Sequence, residues 1–429
     1  MNRLRIAFCC LCIALSLRGT AVADGVIRDG LGAISCGRGG TNIASADNGV
    51  VLLDNPAGLV NIDGCGLVDL GADLIFLDMK YAEELPDIID VVADHDPYPC
   101  GNLSVVRKSG DGCWAFGLGL YAPAAFGTRY EMEGPAPFGG TRLYKSFGAL
   151  SKLLPGVSRR VTDRLSVGGT LGVAYSHIEL EGPHTLQAPG LLQSTPTLID
   201  LQTCGAALTW SFGLQYQLTQ ATTVGVTYQS ENSFHLDGSI RVEVPDPALR
   251  SSYFDADLDV TWPRSLGLGV RHELCPHRIV SADVIWFDWT NAFDTLDLHL
   301  SDPSNPAFEA ALGPTVDEVI PMNWRDTVSV RLGYEHHFGC NRVGRLGYTY
   351  HRNPIPAGTL TPYIQTVLEH TFSVGYGWVR GCWQVDLAYQ FTFGPEVEVA
   401  TSDLLGGDYD ASRHEAMAHV MLVTLSKRF

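Results

Sequence analysis

Gln384-Val385-Asp386-Leu387-Ala388-Tyr389-Gln390-Phe391-Thr392-Phe393 sets an apolar side chain at every second position and a polar or small one between them. Successive side chains of an extended chain point to opposite faces, so this run is a ribbon with one greasy face and one wet face. The dyad recurs upstream. Val328, Val330, Leu332 and Tyr334 alternate with Ser329, Arg331, Gly333 and Glu335, and Phe212, Leu214, Tyr216 and Leu218 with Gly213, Gln215 and Gln217. Val167, Leu171, Val173 and Tyr175 alternate with Ser166, Gly168, Thr170, Gly172 and Ala174. A soluble sandwich also alternates, but its strands run only about 5–6 residues. These runs are longer, and aromatic residues gather near their ends, at Tyr175, Tyr228, Trp286, Trp289, Tyr348, Tyr350, Tyr376 and Trp378. Both features fit strands that cross a bilayer with the apolar face toward lipid.

Connection lengths test that reading separately. Strands are expected near 66–82, 101–109, 113–130, 141–160, 163–180, 203–219, 221–238, 255–275, 277–300, 323–339, 342–355, 365–380, 382–399 and 415–429. Tight connections at Gly110-Asp111-Gly112, Val161-Thr162, Thr219-Gln220, Pro276, Cys340-Asn341 and Gly381 alternate with long ones near 83–100, 131–140, 181–202, 239–254, 301–322, 356–364 and 400–414. Short turns on one side and longer loops on the other are the habit of bacterial outer-membrane barrels. The expected fold class is all-β, a transmembrane antiparallel β-barrel of about fourteen strands over residues 66–429.

The chain opens with Arg3 and Arg5, an apolar run from Ile6 to Leu17 and Ala21-Val22-Ala23, the pattern of a secretory signal peptide over 1–23. About twelve apolar residues fall short of the roughly 20 that a spanning helix needs. The formal charge is −18, from 29 basic and 47 acidic residues, and the leader holds three of the basic ones, leaving −21 in the mature chain. So acidic a protein does not seek nucleic acid. The mature chain keeps Cys36, Cys65, Cys100, Cys113, Cys204, Cys275, Cys340 and Cys382, an even number compatible with disulfides in an exported compartment. Cys275, Cys340 and Cys382, at short turns, are candidates for a bridge between neighbouring hairpins. No CxxC pair occurs among these eight, so neither a zinc cluster nor any other cofactor is expected.

Residues 24–65 lack the alternation and are rich in Gly, Ala, Asn and Asp. A barrel of this size encloses more lumen than side chains fill, so this segment is expected to form an N-terminal hatch, or plug; the alternative is a periplasmic leader. At the other end Met421, Val423, Leu425 and Phe429 share a face that Lys427 interrupts, a lysine able to snorkel to the headgroup level. A final strand ending in Phe429 suits recognition by the barrel-assembly machinery, and the expected setting is the bacterial outer membrane, as a monomer among outer-membrane lipids.

Several stretches resemble the FadL family of outer-membrane transporters for long-chain fatty acids and aromatic hydrocarbons. They are Gly37-Arg38-Gly39-Gly40-Thr41, Asp54-Asn55-Pro56-Ala57-Gly58-Leu59, Phe116 to Tyr130, Val161 to Gly168, Asp283 to Trp289, and Asn323 to Thr327 followed by Gly333-Tyr334. Their order runs along nearly the whole mature chain. The resemblance implies a barrel plugged by a hatch with Asn55, Pro56, Ala57, Gly58 and Leu59 as its signature. It also implies that ligand is captured outside, passed to an interior pocket and released sideways through a gap in the wall.

The residues offer physical grounds for each part. Pro123 cannot donate to a ladder and Gly117, Gly119 and Gly127 weaken pairing, so this strand should kink or bulge. The expected loops 181–202 and 301–322 carry Leu186, Leu191, Leu192, Leu198 and Ile199, and Phe308, Leu312, Val316 and Val319, apolar surface suited to capturing a hydrophobic small molecule or simply to packing over the mouth. Arg271 and Arg331 should face inward, where either could hold a carboxylate, although Glu273 and Glu335 on the same faces make internal salt bridges the competing reading. The rival functions are a general diffusion porin and an outer-membrane lipid-active enzyme. The chain carries no GxSxG elbow, HExxH helix or glycine-rich phosphate loop, and His336 and His337 sit beside a turn.

Overall fold

Alternation commits each run to an edge-to-edge ribbon, and a ribbon in lipid must close on itself to satisfy its backbone. The computed structural model describes residues 25–84, 89–187, 193–339 and 341–429. The expected leader, Leu191, Leu192 and Cys340 lie outside the described residues. Six wall strands are single: β1 (Gly66–Glu83), β2 (Tyr98–Lys108), β3 (Trp114–Glu133), β4 (Thr141–Arg160), β5 (Leu165–Thr185) and β6 (Pro196–Thr219). Four are interrupted: β7 (Thr222–Gln229, then Asn232–Glu243), β8 (Ser251–Trp262, then Ser265–Cys275), β9 (Arg278–Phe287, then Thr295–Ser301) and β10 (Thr315–Pro321, then Thr327–His337). β11 (Arg342–Tyr350), β12 (His370–Arg380), β13 (Trp383–Phe393) and β14 (Ser412–Arg428) complete a fourteen-stranded antiparallel barrel. It closes where β1 pairs with β14, from Leu67↔Arg428 to Glu83↔Ser412.

The greasy faces point outward. Leu171, Phe212, Leu268, Leu332, Leu387 and Met421 are all exposed on the barrel wall, whereas Ser166, Gln215, Ser329, Asp386 and Thr424 on the opposite faces are buried in the lumen. Lys427 keeps its outward place at the rim, its ammonium 5.1 Å from the ring centroid of Trp383. One aromatic expected in the girdle is elsewhere. Trp289 lies inside, fully buried, because the wall breaks into a helical turn there and packs it on Trp324 at 4.8 Å. The described cysteines, Cys36, Cys65, Cys100, Cys113, Cys204, Cys275 and Cys382, are free thiols, so Cys275 and Cys382 are not joined to each other.

The four interruptions depart from the continuous strands expected over 221–238, 255–275, 277–300 and 323–339. They fall at Ser230-Glu231, Pro263-Arg264, residues 288–294 and residues 322–326, with the helical turn α3 (Trp289–Ala292) in the third. Above them the sheet continues past the membrane belt. The expected loops shrink accordingly: 181–202 is largely the hairpin of β5 and β6, with Pro183↔Leu198 and Gly182↔Ile199 as rungs, and 301–322 holds α4 (Pro306–Leu312) and the first segment of β10.

Residues 25–65 fold inside the barrel with α1 (Gly32–Gly37), α2 (Val51–Asp54) and a 3-10 turn over Pro56–Asn61. Leu31, Val50 to Leu53, Leu59, Val60 and Ile62 form one apolar cluster with Leu67, Val106, Ala115, Tyr121 and Leu154 of the wall. The small inward faces make room for this. A Cβ on Gly168 would sit 2.5 Å from the carbonyl carbon of Pro56, so the plug backbone can approach the wall there only because the residue is glycine.

Candidate functional site

β2 and β3 share a ladder from Lys108↔Ala115 to Leu103↔Leu120, and among the described residues it goes no farther, although β2 stays on β1 as far as Ile75↔Tyr98. The other edge of β3 slips against β4, from Tyr121↔Lys152 to Ala124↔Leu150. Pro123 lies within the slip, where a missing N–H costs the ladder least. The wall thus has a window, closed on its outer side where Asp94 N–H donates to the Arg129 carbonyl at 2.9 Å. The start of the plug occupies it. Ile27 bridges Ala124, Arg28 N–H donates to the Pro123 carbonyl at 3.0 Å, and Ala125 N–H donates to the Val26 carbonyl at 3.2 Å.

Polar side chains tie this segment to the lumen. Arg28 donates to Asp73 at 2.7 Å. Asp29 accepts from Thr371 at 2.5 Å and meets His351 Nε2 at 3.1 Å, with Arg331 at 3.7 Å. Burial opposes ionisation of Asp29, but the His351 imidazole, the Arg331 guanidinium and the Thr371 hydroxyl outweigh it and hold the carboxyl down at about 2. Deeper in the plug Arg38 pairs with Asp47 at 2.6 Å and Glu335 at 3.0 Å, and Glu335 with Arg345 at 2.9 Å. Asn55 caps the 3-10 turn, accepting from Ala57 N–H at 3.2 Å, and donates to the carbonyls of Ile43 and Leu214 at 2.7 and 3.1 Å. That last bond pins the plug to β6.

Three cavities line up with the window. Under the outer extension an apolar one of about 40 Å³ is bounded by Phe126, Ile178, Leu201, Ile240 and Leu298. Below it a cavity of about 70 Å³ is lined by Ile27, Pro123, Ala124, Lys152, Trp262 and Phe287. A third, of about 130 Å³, lies behind the window between Val26, Leu77, Phe126 and Gly127. Phe126 borders the first and third, and Ile27 the second and third. At the short-turn end a polar vestibule of about 470 Å³ is lined by Asp47, Arg160, Arg164, Gln215 and Arg271.

The profile of the family described as outer membrane protein transport protein (OMPP1/FadL/TodX) matches residues 15–429. The chain belongs to this family. Among solved structures it is similar to the toluene transporter TodX of Pseudomonas putida, at 20% identity and a TM-score of 0.76 over 94% of this chain and 99% of that one. It is also similar to a FadL homologue of Pseudomonas aeruginosa, at 16% identity and a TM-score of 0.74 over 94% and 100% of the two chains. A third is the toluene transporter TbuX of Ralstonia pickettii, at 19% identity and 0.71 over 94% and 99%. At such identities the likeness speaks for the fold alone. No curated protein matches the chain.

Against this OMPP1/FadL/TodX frame the residues singled out from sequence fall as follows. Asn55, Pro56, Ala57, Gly58 and Leu59 are together in the plug and fully buried or nearly so. Pro123 lies in the slip of β3, with Gly127 just beyond it facing Tyr98. Gly117 and Gly119 lie within the intact ladder, where they make room for Leu52 and for the ring of Tyr121. Leu186 and Ile199 line the apolar cavity, Leu198 is half-buried on β6, and Phe308 is buried against Phe254 at 5.8 Å. Leu312 ends α4. Leu186, Ile199 and Phe308 face the interior of the extension, whose strands turn their greasy side inward, whereas Leu198 lies on the opposite face of β6 from Ile199 and Leu201. Arg271 pairs with Glu273 at 3.0 Å at the vestibule, and Arg331 lies in the lumen beside Asp29, so both guanidiniums already have carboxylates.

Sequence reasoning missed Lys152. It points into the lumen opposite the slip, 6% exposed, and among the described residues forms no hydrogen bond or ion pair. A signal existed. Lysine is the one cation on the inward face Tyr144, Ser146, Gly148, Leu150, Lys152, Leu154, a position that a barrel fills with small, polar or lumen-packing residues.

Proposed function

We propose that this protein admits small hydrophobic molecules through the outer membrane. They enter the apolar cavity beneath the extension, descend to the lumen cavity, and leave sideways through the window between β2 and β3 when residues 25–29 withdraw. The observation that carries this reading is the occupied gap: a ladder that stops at Leu103↔Leu120, with Val26 to Arg28 seated against Pro123 to Ala125. Sideways release suits an apolar cargo because it passes into acyl chains without crossing the polar vestibule. A diffusion porin would instead need an open aqueous lumen, and residues 25–65 fill that space here with buried side chains. In this reading the protein acts as a monomer, and Phe429, whose carbonyl accepts from Cys65 N–H at 2.7 Å, offers the last strand to the assembly machinery.

The test locks the gap. The bonds from Arg28 to Pro123 and from Ala125 to Val26 flank Ile27 and Ala124 as a non-hydrogen-bonded pair, whose Cα atoms lie about 4.5 Å apart, within reach of a disulfide. Cells carrying Ile27→Cys with Ala124→Cys should lose uptake of a labelled hydrophobic compound when oxidised and regain it on reduction. Undiminished uptake in the oxidised, cross-linked protein would remove the window from the pathway.

A further inference from the structure

We infer that the outer face of the extension carries a site for a zinc-class divalent cation, built from His235, Asp237 and Asp257. His235 and Asp237 lie two residues apart on the outer segment of β7, so their side chains share a face. Asp257 and Asp259 repeat that spacing on the outer segment of β8, and the ladder sets Asp257 opposite Asp237 and Asp259 opposite His235. One ligand atom from each of His235, Asp237 and Asp257 lies within 4.8 Å of the other two. An equilateral triangle of that side has its centre about 2.8 Å from each corner, and zinc takes nitrogen and carboxylate oxygen at about 2.0–2.2 Å. Exposed side chains close so small a gap by turning about their own bonds.

The imidazole separates this group from an ordinary acidic patch. In the neutral ring Nδ1, 2.7 Å from Asp259 Oδ1, carries the hydrogen and donates it. The lone pair of Nε2 is left turned toward Asp257, at 3.8 Å. That separation is too long for a hydrogen bond, but it suits two ligands of one ion, since arms of zinc length set tetrahedral ligands about 3.4 Å apart. A carboxylate that holds the far nitrogen of a histidine fixes its tautomer and raises its basicity, the usual support of a metal-bound imidazole.

Charge points the same way. Asp237, Asp257 and Asp259 surround one imidazole, so even its protonated form leaves two negative charges unmatched, and a divalent ion cancels both. Arg241, farther along this face of β7, is engaged by Glu243 at 3.0 Å. Mixed nitrogen and oxygen donors favour zinc over calcium or magnesium, which take oxygen. Three protein ligands leave a fourth position to water. Bound there, the ion ties β7 to β8 above the membrane belt and braces Phe234, Leu236, Phe254 and Leu258 on the reverse face of the same strands. The cysteine spacing could not have revealed this site, because its donors are a histidine and carboxylates on two strands.

The experiment uses the untagged full-length protein in non-ionic detergent, with its exposed thiols alkylated and any metal removed by a chelator that is then dialysed away. Calorimetric titration with Zn²⁺ should show one site per chain, and Co²⁺ should give the visible absorption of a four-coordinate ion. His235→Gln and Asp257→Ser should each weaken Zn²⁺ binding at least about tenfold, or about 1.4 kcal/mol, and abolish the Co²⁺ band. Asp259→Asn removes the support and not a ligand, so it should weaken Zn²⁺ binding about tenfold and keep the band. All three variants should retain heat-modifiable gel mobility. Zn²⁺ should also slow cleavage of the extension by added protease in the native chain and have no such effect in His235→Gln. Failure to find a one-to-one site, Zn²⁺ affinity unchanged in His235→Gln, or Ca²⁺ bound as tightly as Zn²⁺ overturns the inference.

Discussion

The two halves of β7 to β10 obey opposite rules. In the membrane belt Val226, Leu268, Val284 and Val330 face outward while Thr227, Gly269, Asp283 and Ser329 face the lumen. Above the interruptions Leu236, Leu258 and Leu298 face inward, and Asp237, Asp257, His299 and Asp317 face out. The strands have not changed their period, only their phase. A residue or two left out of the ladder, as at Ser230-Glu231 and Pro263-Arg264, moves the whole apolar set to the other side. What lies outside changes at the same height, from acyl chains to water. The inward greasy faces then gather Phe234, Leu236, Phe254, Leu258, Phe293 and Leu300 into one core, which roofs the lumen.

Resetting the phase should do the most damage. Deleting Glu231 would turn Phe234, Leu236, Ile240 and Val242 to water and bring His235 and Asp237 into the roof. The expected protein keeps a heat-modifiable barrel but is cut in its outer extension by protease added to intact cells and no longer binds apolar ligand; full protease resistance would mean the phase is not what orders the extension.

A charge on the belt should cost less but act globally. Leu268→Arg places a guanidinium on the lipid face, at about 2–4 kcal/mol if it lies near the bilayer midplane, and a refolding titration in lipid vesicles should show it. The same substitution at Tyr253, outward in the extension and 61% exposed, should shift stability by no more than about 0.5 kcal/mol. Comparable losses at the two sites would contradict the boundary drawn between the halves.

The smallest effect has the opposite sign. Asp257 stands directly across from Asp237, and opposed like charges destabilise a sheet by roughly 0.2–1 kcal/mol. Asp257→Ser should therefore slightly raise the melting temperature at low salt, and added salt should abolish the gain. A loss of stability would show that the acidic pair is held by something other than its own repulsion.

Much of the wall could be read directly. The inward placement of Arg271, Arg331 and Glu335 and the irregularity at Pro123 follow from neighbours one or two residues away, and the structure agrees. The phase slips escaped notice because hydrophobic alternation looks alike on both sides of a break, so 221–238 and 255–275 read as unbroken strands. Phe308 and Leu186 looked like surface for capture because an exposed loop was expected, whereas Phe308 lies on α4 and Leu186 directly follows β5, both buried.

Local chemistry was enough to settle that these residues make strands, how long the belt is and which faces meet lipid, since each depends on the bilayer and on the two-residue repeat. Where the plug sits and which lumen charges are satisfied depended on folding. Asn55 reaches Leu214, Arg38 reaches Glu335 and Asp29 reaches Thr371, partners brought together by closure of the barrel. Arg331 and Lys152 look alike as inward cations on alternating strands. Only the three-dimensional arrangement gives one of them a carboxylate and leaves the other without, because an ion pair is a matter of distance in space and not of spacing along the chain.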